Sequence, residues 1–296
     1  MGSCSSADSA IERGAMSALA WFDVFGYPLA LPEVVRYARL ADGTALSAGA
    51  VAETLDGDRR VGQRDGFYFL FGHERSVSER HRRFRLSGRK LKRARRAARL
   101  FGLLPSVRLV ALCNSLAFAG ADEDSDIDLF LVCRPGTLWT TRLLLAGTLK
   151  LLGLRPTPQV QRDRLCLSFF VSEAALDLGG LALPDGDPYL RFWVATLLPL
   201  YDDGGVYERF LSANRWAFDP TVRPVGCSNG EPDLGRLERL ARQLQLRRFP
   251  ASIRDLANRD TRVVVTDDVL KFHVNDRRTD FRDEYRRRLS KLGLSL

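Results

Sequence analysis

The stretch LVALCNSLAFAGADEDSDIDLFLV, residues 109–132, decides the fold of this chain. Aliphatic and β-branched residues crowd its two ends and turn-forming residues separate them, so the pattern predicts strands over Val107–Cys113 and Ile127–Cys133. Asp126 and Asp128 stand two residues apart where the second strand begins. Because side chains alternate along a strand, we expect both carboxylates on one face of the sheet.

Paired carboxylates of this kind indicate a cation site. Two adjacent carboxylates repel each other, and a divalent cation between them favours their ionised form. Mg²⁺ is the expected ion, because it is a hard cation that takes oxygen ligands. The alternative is a solvated acidic turn, since residues 122–126 contain four carboxylates. The alternating acidic and apolar residues from Asp126 onward favour the metal site, with Asp126 and Asp128 as its ligands.

The segment between the two strands suits a phosphate group. Asn114 and Ser115 follow the first strand and precede four small or apolar residues, 116–119. Ser115 is therefore predicted to cap a short helix whose free N–H groups face an anion. A strand, a helix start and an Asp-x-Asp pair on the neighbouring strand would together place Mg²⁺ beside a triphosphate.

This arrangement resembles the nucleotidyltransferases of the DNA polymerase beta superfamily. Their signature is Gly-Ser or Gly-Gly followed by Asp-apolar-Asp/Glu-apolar, and here Asn114-Ser115 is followed by Asp126-Ile127-Asp128-Leu129. The resemblance implies Mg²⁺-dependent transfer of a nucleoside monophosphate from a nucleoside triphosphate to an acceptor. It also implies that Asp126 and Asp128 are catalytic residues and that Asn114, Ser115 and Ser125 contact the nucleotide. Asparagine stands in place of the family's glycine, and among non-glycine residues it tolerates left-handed backbone geometry well.

The superfamily usually places a third carboxylate on a later strand. The predicted strand Leu165–Ser172 contains none, and Asp163 and Glu173 beside it are the nearest substitutes. Two functions therefore stay open at this point. One is an active nucleotidyltransferase, and the other is a catalytically impaired protein that senses a nucleotide or binds nucleic acid as a regulator.

The whole chain is long enough for several units of a mixed α/β (α+β) protein. Residues 11–79 show three helical patterns and then a hairpin around Arg64-Asp65-Gly66, an order that resembles a winged-helix domain. Such a domain either binds nucleic acid or serves as a packing module. Residues 80–104 are predicted to form a basic connecting helix, and residues 105–185 the nucleotidyltransferase-like sheet domain.

Residues 186–296 are predicted to form a helical C-terminal domain. Apolar residues there recur at spacings of three and four. One predicted helix covers Leu190–Leu200, and another places Leu237, Leu240 and Leu244 on its core face.

The segment Arg80–Arg99 is the most strongly charged part of the chain. It contains eleven Lys or Arg and no acid, so it accounts for the whole formal net charge of +9. Leu91, Ala94 and Ala98 fall at helical spacing and predict a narrow apolar stripe. One interpretation is a surface that binds nucleic acid or a triphosphate. The other is a linker helix that acidic groups elsewhere in the protein neutralise.

Composition predicts a cytoplasmic protein. No uncharged apolar stretch reaches the roughly 18 residues of a membrane span, and no apolar signal region lies near the start, so we expect neither a membrane partner nor secretion. The five cysteines contain no C-x-x-C pair and are expected to be reduced thiols. Only five of the 45 basic residues are lysines, and this bias is typical of a GC-rich, bacterial genome.

Overall fold

The computed structural model describes residues 6–42, 46–219, 222 and 234–294. Within them the chain is a mixed α/β protein with one three-stranded and one six-stranded sheet. Its helices are α1 Ser6–Asp23, α2 Leu31–Asp42, α3 Ala48–Asp56, α4 Arg75–Phe101, α5 Asn114–Ala117, α6 Leu138–Leu151, α7 Pro188–Thr196, α8 Val206–Ala213, α9 Arg236–Arg248, α10 Ala251–Arg254 and α11 Arg278–Lys291. Its strands are β1 Leu29–Ala30, β2 Val61–Arg64, β3 Phe67–Leu70, β4 Val107–Leu112, β5 Ile127–Cys133, β6 Leu165–Ser172, β7 Leu198–Asp202, β8 Val263–Val265 and β9 Val269–Phe272.

The first part of the chain packs three helices against the small sheet. The helices α1, α2 and α3 precede the hairpin of β2 and β3, and β1 pairs with the free side of β3. Ser47 caps α3, because its side chain accepts a hydrogen bond from the backbone N–H of Ala50. Asp65 and Gly66 both have positive φ, as a two-residue hairpin turn requires. The predicted three helices and hairpin are confirmed.

A single helix, α4, connects the small sheet to the large one. It runs without interruption for 27 residues. Ala94, Ala98 and Phe101 are buried in the core between this helix and the large sheet, and Leu91 packs against that core. The predicted helix and its apolar stripe are confirmed.

The large sheet has the strand order β7-β4-β5-β6-β9-β8. Only β5 and β6 run parallel, and every other neighbouring pair is antiparallel. The crossover between β5 and β6 passes through α6, which covers one face of the sheet together with α4 and α9. Side chains of α7 and α8 cover the opposite face. The site described below lies on this second face.

The prediction that residues 186–296 are helical is wrong for three segments. Residues 198–202, predicted to end a helix, form the edge strand β7 beside β4. The segments of β8 and β9 also join the sheet, next to β6. Short apolar runs have similar composition in helices and strands, so pairing with a strand far away in sequence decided their conformation.

The core face predicted for α9 is also wrong. Leu237 and Leu240 are 76% and 62% exposed, whereas Glu238 is buried. The Glu238 carboxylate accepts hydrogen bonds from the backbone N–H groups of Trp139 and Thr140 at the start of α6. Because the first N–H groups of a helix have no partner within it, this carboxylate stabilises α6. That polar contact orients α9 and turns the leucines outward.

No described helix combines the length and the apolar character needed to cross a membrane. Cys113, Cys133 and Cys166 are free thiols. Cys4 and Cys227 lie outside the described residues.

Candidate functional site

The candidate site lies where β5 begins. Asp126 immediately precedes the strand and Asp128 is its second residue. Carboxylate oxygens of these two residues, here called the acid pair, lie within 4.8 Å of each other. Ile127 and Leu129 are fully buried in the core of the opposite face. The acid pair thus shares one face of the sheet, as the alternation predicts.

Burial makes ionisation of the acid pair unfavourable. Desolvation raises the pKa of Asp128 to about 6, and the negative charge of Asp126 adds to the effect. Desolvation also raises the pKa of Asp126. Two half-buried carboxylates this close either share a proton or require a positive charge beside them. A divalent cation would supply that charge.

A third side chain, Cys166, joins the acid pair. It is the second residue of β6 and lies opposite Asp128 in the parallel pairing with β5. Its Sγ lies within 4.8 Å of the carboxylate oxygens. Burial and the charges of Asp128 and Asp126 raise the pKa of this thiol. Sequence reasoning missed Cys166, because only the register between β5 and β6 brings it to the site.

The two carboxylates that flank β6, Asp163 and Glu173, form ion pairs with other side chains. Asp163 forms ion pairs with Arg89 at 3.1 Å and with Lys90 at 3.0 Å. Glu173 pairs with arginines of β4 and α8. Within the described ranges, the acid pair with Cys166 is the one group of three side chains close enough to hold a metal ion.

Asn114 connects the end of β4 to the acid pair. Its φ is 56°, a left-handed conformation that asparagine tolerates. Its Nδ2 donates a hydrogen bond to Oδ2 of Asp128 at 2.8 Å. Its Oδ1 accepts hydrogen bonds from the Tyr189 hydroxyl at 3.0 Å and the Trp193 indole at 3.1 Å. Asn114 therefore positions Asp128 and favours its ionised form.

The two predicted serines have local roles that differ from those expected. Ser115 does not cap α5, because the helix begins one residue earlier, after Cys113, and no side chain caps it. The turn takes place at Asn114, whose three side-chain hydrogen bonds hold it there. Ser125 donates from its hydroxyl to the Asp122 carbonyl at 2.9 Å and so closes the turn before β5. Nucleotide contacts by either serine stay a prediction.

An aromatic pocket opens beside Asn114 and Ser115. Its walls come from α1, α7 and the segment around α5, so its rings are far apart in the sequence. Sequence reasoning therefore gave no signal for it. The other lining residues are Trp21, Phe25, Phe118, Tyr189, Phe192, Trp193 and Thr196.

Lys90 ties α4 to the turn that precedes the acid pair. Its side chain is fully buried. The ammonium group donates to the carbonyls of Glu123 at 3.0 Å and Ser125 at 2.6 Å, and it pairs with Asp163. Its positive charge acts to lower the pKa of Asp126, against the effect of burial. Sequence reasoning counted Lys90 among the surface cations, and its burial shows a structural role.

Comparison of the chain with models of protein families, with curated proteins and with solved structures found no match. The site is therefore interpreted from its own residues. These are the acid pair with Cys166, the left-handed Asn114, the aromatic pocket and the buried Lys90.

Proposed function

We propose that this protein is a Mg²⁺-dependent nucleotidyltransferase with a polymerase-beta-like sheet. It would transfer a nucleoside monophosphate from a nucleoside triphosphate to an acceptor. The proposal rests on the acid pair, two half-buried carboxylates within 4.8 Å of each other at the start of β5. Asn114 lies just after the neighbouring strand β4, and its left-handed backbone suits the role of the superfamily's glycine.

The residues of the acid pair fit Mg²⁺. Proteins usually bind this ion through one or two carboxylates, and substrate phosphates and water complete the coordination. Burial is the main cause of the raised pKa values of Asp126 and Asp128, and a cation beside them would favour their ionised form. Cys166 offers a thiol, a poor ligand for a hard cation. It lies on the later strand, where the superfamily usually has its third carboxylate.

In the proposed reaction an acceptor hydroxyl or phosphate oxygen bonds to the α-phosphorus of the triphosphate. The bond from that phosphorus to the bridging oxygen breaks, pyrophosphate leaves, and a hydroxyl acceptor releases its proton to water. Asp126 and Asp128 would hold Mg²⁺, which would supply positive charge to the phosphate oxygens. Asn114 keeps Asp128 oriented. Ser115 and Ser125 are the proposed phosphate contacts, and the aromatic pocket offers ring faces for a base.

We assign the first part of the chain as a winged-helix-like domain that packs on the catalytic unit. The order of its three helices and three strands supports the assignment. Trp21 of α1 stacks on Phe192 of α7 at 4.9 Å and meets Tyr285 of α11 edge to face. These contacts favour a packing role for this domain over an independent DNA reader. The proposal also includes a cytoplasmic location and a bacterial origin, and these two parts are based on composition alone.

A second candidate function is a nucleotide sensor without catalytic activity. Cys166 favours it, because a neutral thiol stands beside the acid pair where a third carboxylate would serve catalysis. The two functions share the triphosphate site and differ in whether product forms.

Thermal unfolding with Mg²⁺ and each nucleoside triphosphate tests the shared site. A ligand at a hundred times its dissociation constant adds about 2.7 kcal/mol to the free energy of unfolding. Asp126→Asn and Asp128→Asn should lose this gain, whereas Asp124→Asn, an exposed acid in the preceding turn, should keep it. Transfer of labelled nucleotide then separates the enzyme from the sensor. The nucleotidyltransferase proposal fails if the Asp126 and Asp128 variants keep both the gain and the transfer.

A further inference from the structure

The cations of α4 divide into two groups with different surroundings. Three cations of the first half, Arg80, Arg82 and Arg83, pair with acids of α4 itself or of neighbouring segments, so this part fits the interpretation of a linker helix. Its ion pairs are Arg80–Glu33 at 2.9 Å, Arg82–Glu79 at 2.6 Å, Arg83–Glu79 at 2.9 Å, Arg82–Asp122 at 3.1 Å and Arg83–Asp122 at 3.2 Å.

The second half of α4 carries cations without such partners. From Lys92 onward, none of its five cations forms an ion pair within 4.0 Å of an acid in the described ranges. All of them are exposed except Arg93, which is half-buried. Repulsion between these charges is therefore only partly compensated, by the attraction of Arg93 to Asp163, and an anion would relieve it further. The five are Lys92, Arg93, Arg95, Arg96 and Arg99.

Four cations of α4 line a single cleft with one acid. Arg89, Lys92, Arg93 and Arg96, together with Asp163, surround a space of about 430 Å³, here called the basic cleft. Their spacing of three, four and seven residues places the four cations on one side of the helix, along two turns. Successive turns of a helix are about 5.4 Å apart. Cations spread along two turns therefore suit an extended chain of negative charges better than one compact anion.

Asp163 links the basic cleft to the acid pair. It pairs with Arg89 and Lys90, and its backbone N–H donates to the Ser125 carbonyl at 3.2 Å. Ser125 immediately precedes Asp126. An anion in the cleft would therefore lie beside the turn that leads into β5.

We propose that the basic cleft binds the phosphodiester backbone of a nucleic acid without regard to its sequence. Guanidinium groups match phosphate oxygens in geometry and charge, and three of the four cations are arginines. No aromatic side chain lines the cleft on which a base could stack, and contacts of its cations with phosphates carry no sequence information. Binding does not depend on the proposed reaction. The further step, that the bound strand presents an acceptor group to the acid pair, rests on it.

The experiment measures binding of fluorescent single-stranded and duplex oligonucleotides against salt, with a chelator present and no triphosphate. The slope of the logarithm of the binding constant against the logarithm of the salt concentration should become shallower in Arg93→Gln/Arg96→Gln. The expected change is roughly 0.7 per lost phosphate contact on single strands and roughly 0.9 on duplex. The dissociation constant at low salt should rise about tenfold or more, because each phosphate contact carries much of the affinity. The matched control is Arg64→Gln/Arg277→Gln, which removes two charges from side chains 62% and 67% exposed elsewhere. It should leave the slope unchanged.

Three results would overturn the proposal. They are no binding at low salt, equal losses in the two double variants, and a polyglutamate chain that competes as well as an unlabelled oligonucleotide of equal charge. Because the chelator removes any divalent cation, failure here leaves the proposed triphosphate site untouched. Conversely, Asp126→Asn should still bind the oligonucleotides even if no nucleotide transfer is ever detected.

Discussion

Asn114 donates a hydrogen bond from Nδ2 to Oδ2 of Asp128 over 2.8 Å, and it does so from a backbone with φ of 56°. Its Oδ1 accepts from Tyr189 and Trp193 of α7. One side chain thus joins the end of β4, the acid pair and the helix that walls the aromatic pocket. Both properties of asparagine are used here, the tolerance of left-handed backbone and the amide that donates and accepts.

Replacing Asn114 by glycine and by alanine should separate these two properties. Asn114→Gly keeps the backbone conformation but loses three hydrogen bonds, each worth about 1 kcal/mol, so it should destabilise the protein by about 3 kcal/mol. Asn114→Ala should cost about 1–2 kcal/mol more, because alanine is strained at this φ. Urea unfolding measures both values. Equal stability of the two variants would contradict the role given to the backbone.

The acid pair should give the metal-free protein an unusual dependence of stability on pH. The folded state retains a proton on Asp128 up to about pH 6, whereas the unfolded chain releases it near the ordinary pKa of 3.8. The folded state therefore binds more protons in this window, and stability should fall as pH rises from about 4 to about 6. Asp128→Asn removes the effect while keeping an oxygen that can accept from Asn114.

The difference in unfolding free energy between the parent and Asp128→Asn isolates this contribution. The variant should match the parent below about pH 4 and exceed it above pH 6. Asp124→Asn, exposed in the preceding turn, should show no such trend. A variant that is less stable than the parent at every pH would mean that the ionised carboxylate stabilises the fold.

The centre of the large sheet could be predicted because its signals are local. The alternation after Asp126 and the apolar run at 165–172 give β5 and β6 with their observed bounds, and β4 ends one residue earlier than predicted. The left-handed Asn114 also follows from residue type. Each of these features depends on the intrinsic preferences of adjacent residues.

The rest depends on which segments meet in space. Cys166 reaches the acid pair through strand register, and β7 and β9 become strands because sheet edges were available. The outward leucines of α9 follow from the contact of Glu238 with α6. The two groups of cations on α4 likewise look identical in sequence. Apart from Glu79 on the helix itself, only the positions of acids far away in the sequence distinguish them.

Lys90 and Lys92 offer a direct comparison between a structural and a surface cation. Lys90→Met keeps most of the apolar stem but removes the buried ammonium group from Asp163 and two carbonyls. Loss of one partner from a buried ion pair costs about 3–5 kcal/mol. Lys92→Met, at an exposed position, should change stability by less than about 0.5 kcal/mol. If the two variants had similar midpoints of urea unfolding, Lys90 would not anchor α4 to the turn before the acid pair.

Cys166→Asp should place a third carboxylate beside the acid pair. Its effect on thermal stability should change direction when Mg²⁺ is present. Without a divalent cation a third buried acid adds repulsion, so the variant should unfold at a lower temperature than the parent. With Mg²⁺ and a nucleoside triphosphate the new oxygen ligand should enlarge the stabilisation. Cys166→Ser is the control, because it removes the thiol without adding charge and should leave the Mg²⁺ response near that of the parent. If Cys166→Asp lowered stability equally with and without Mg²⁺, the acid pair would not be a cation site, since a third carboxylate beside a bound ion must strengthen its hold.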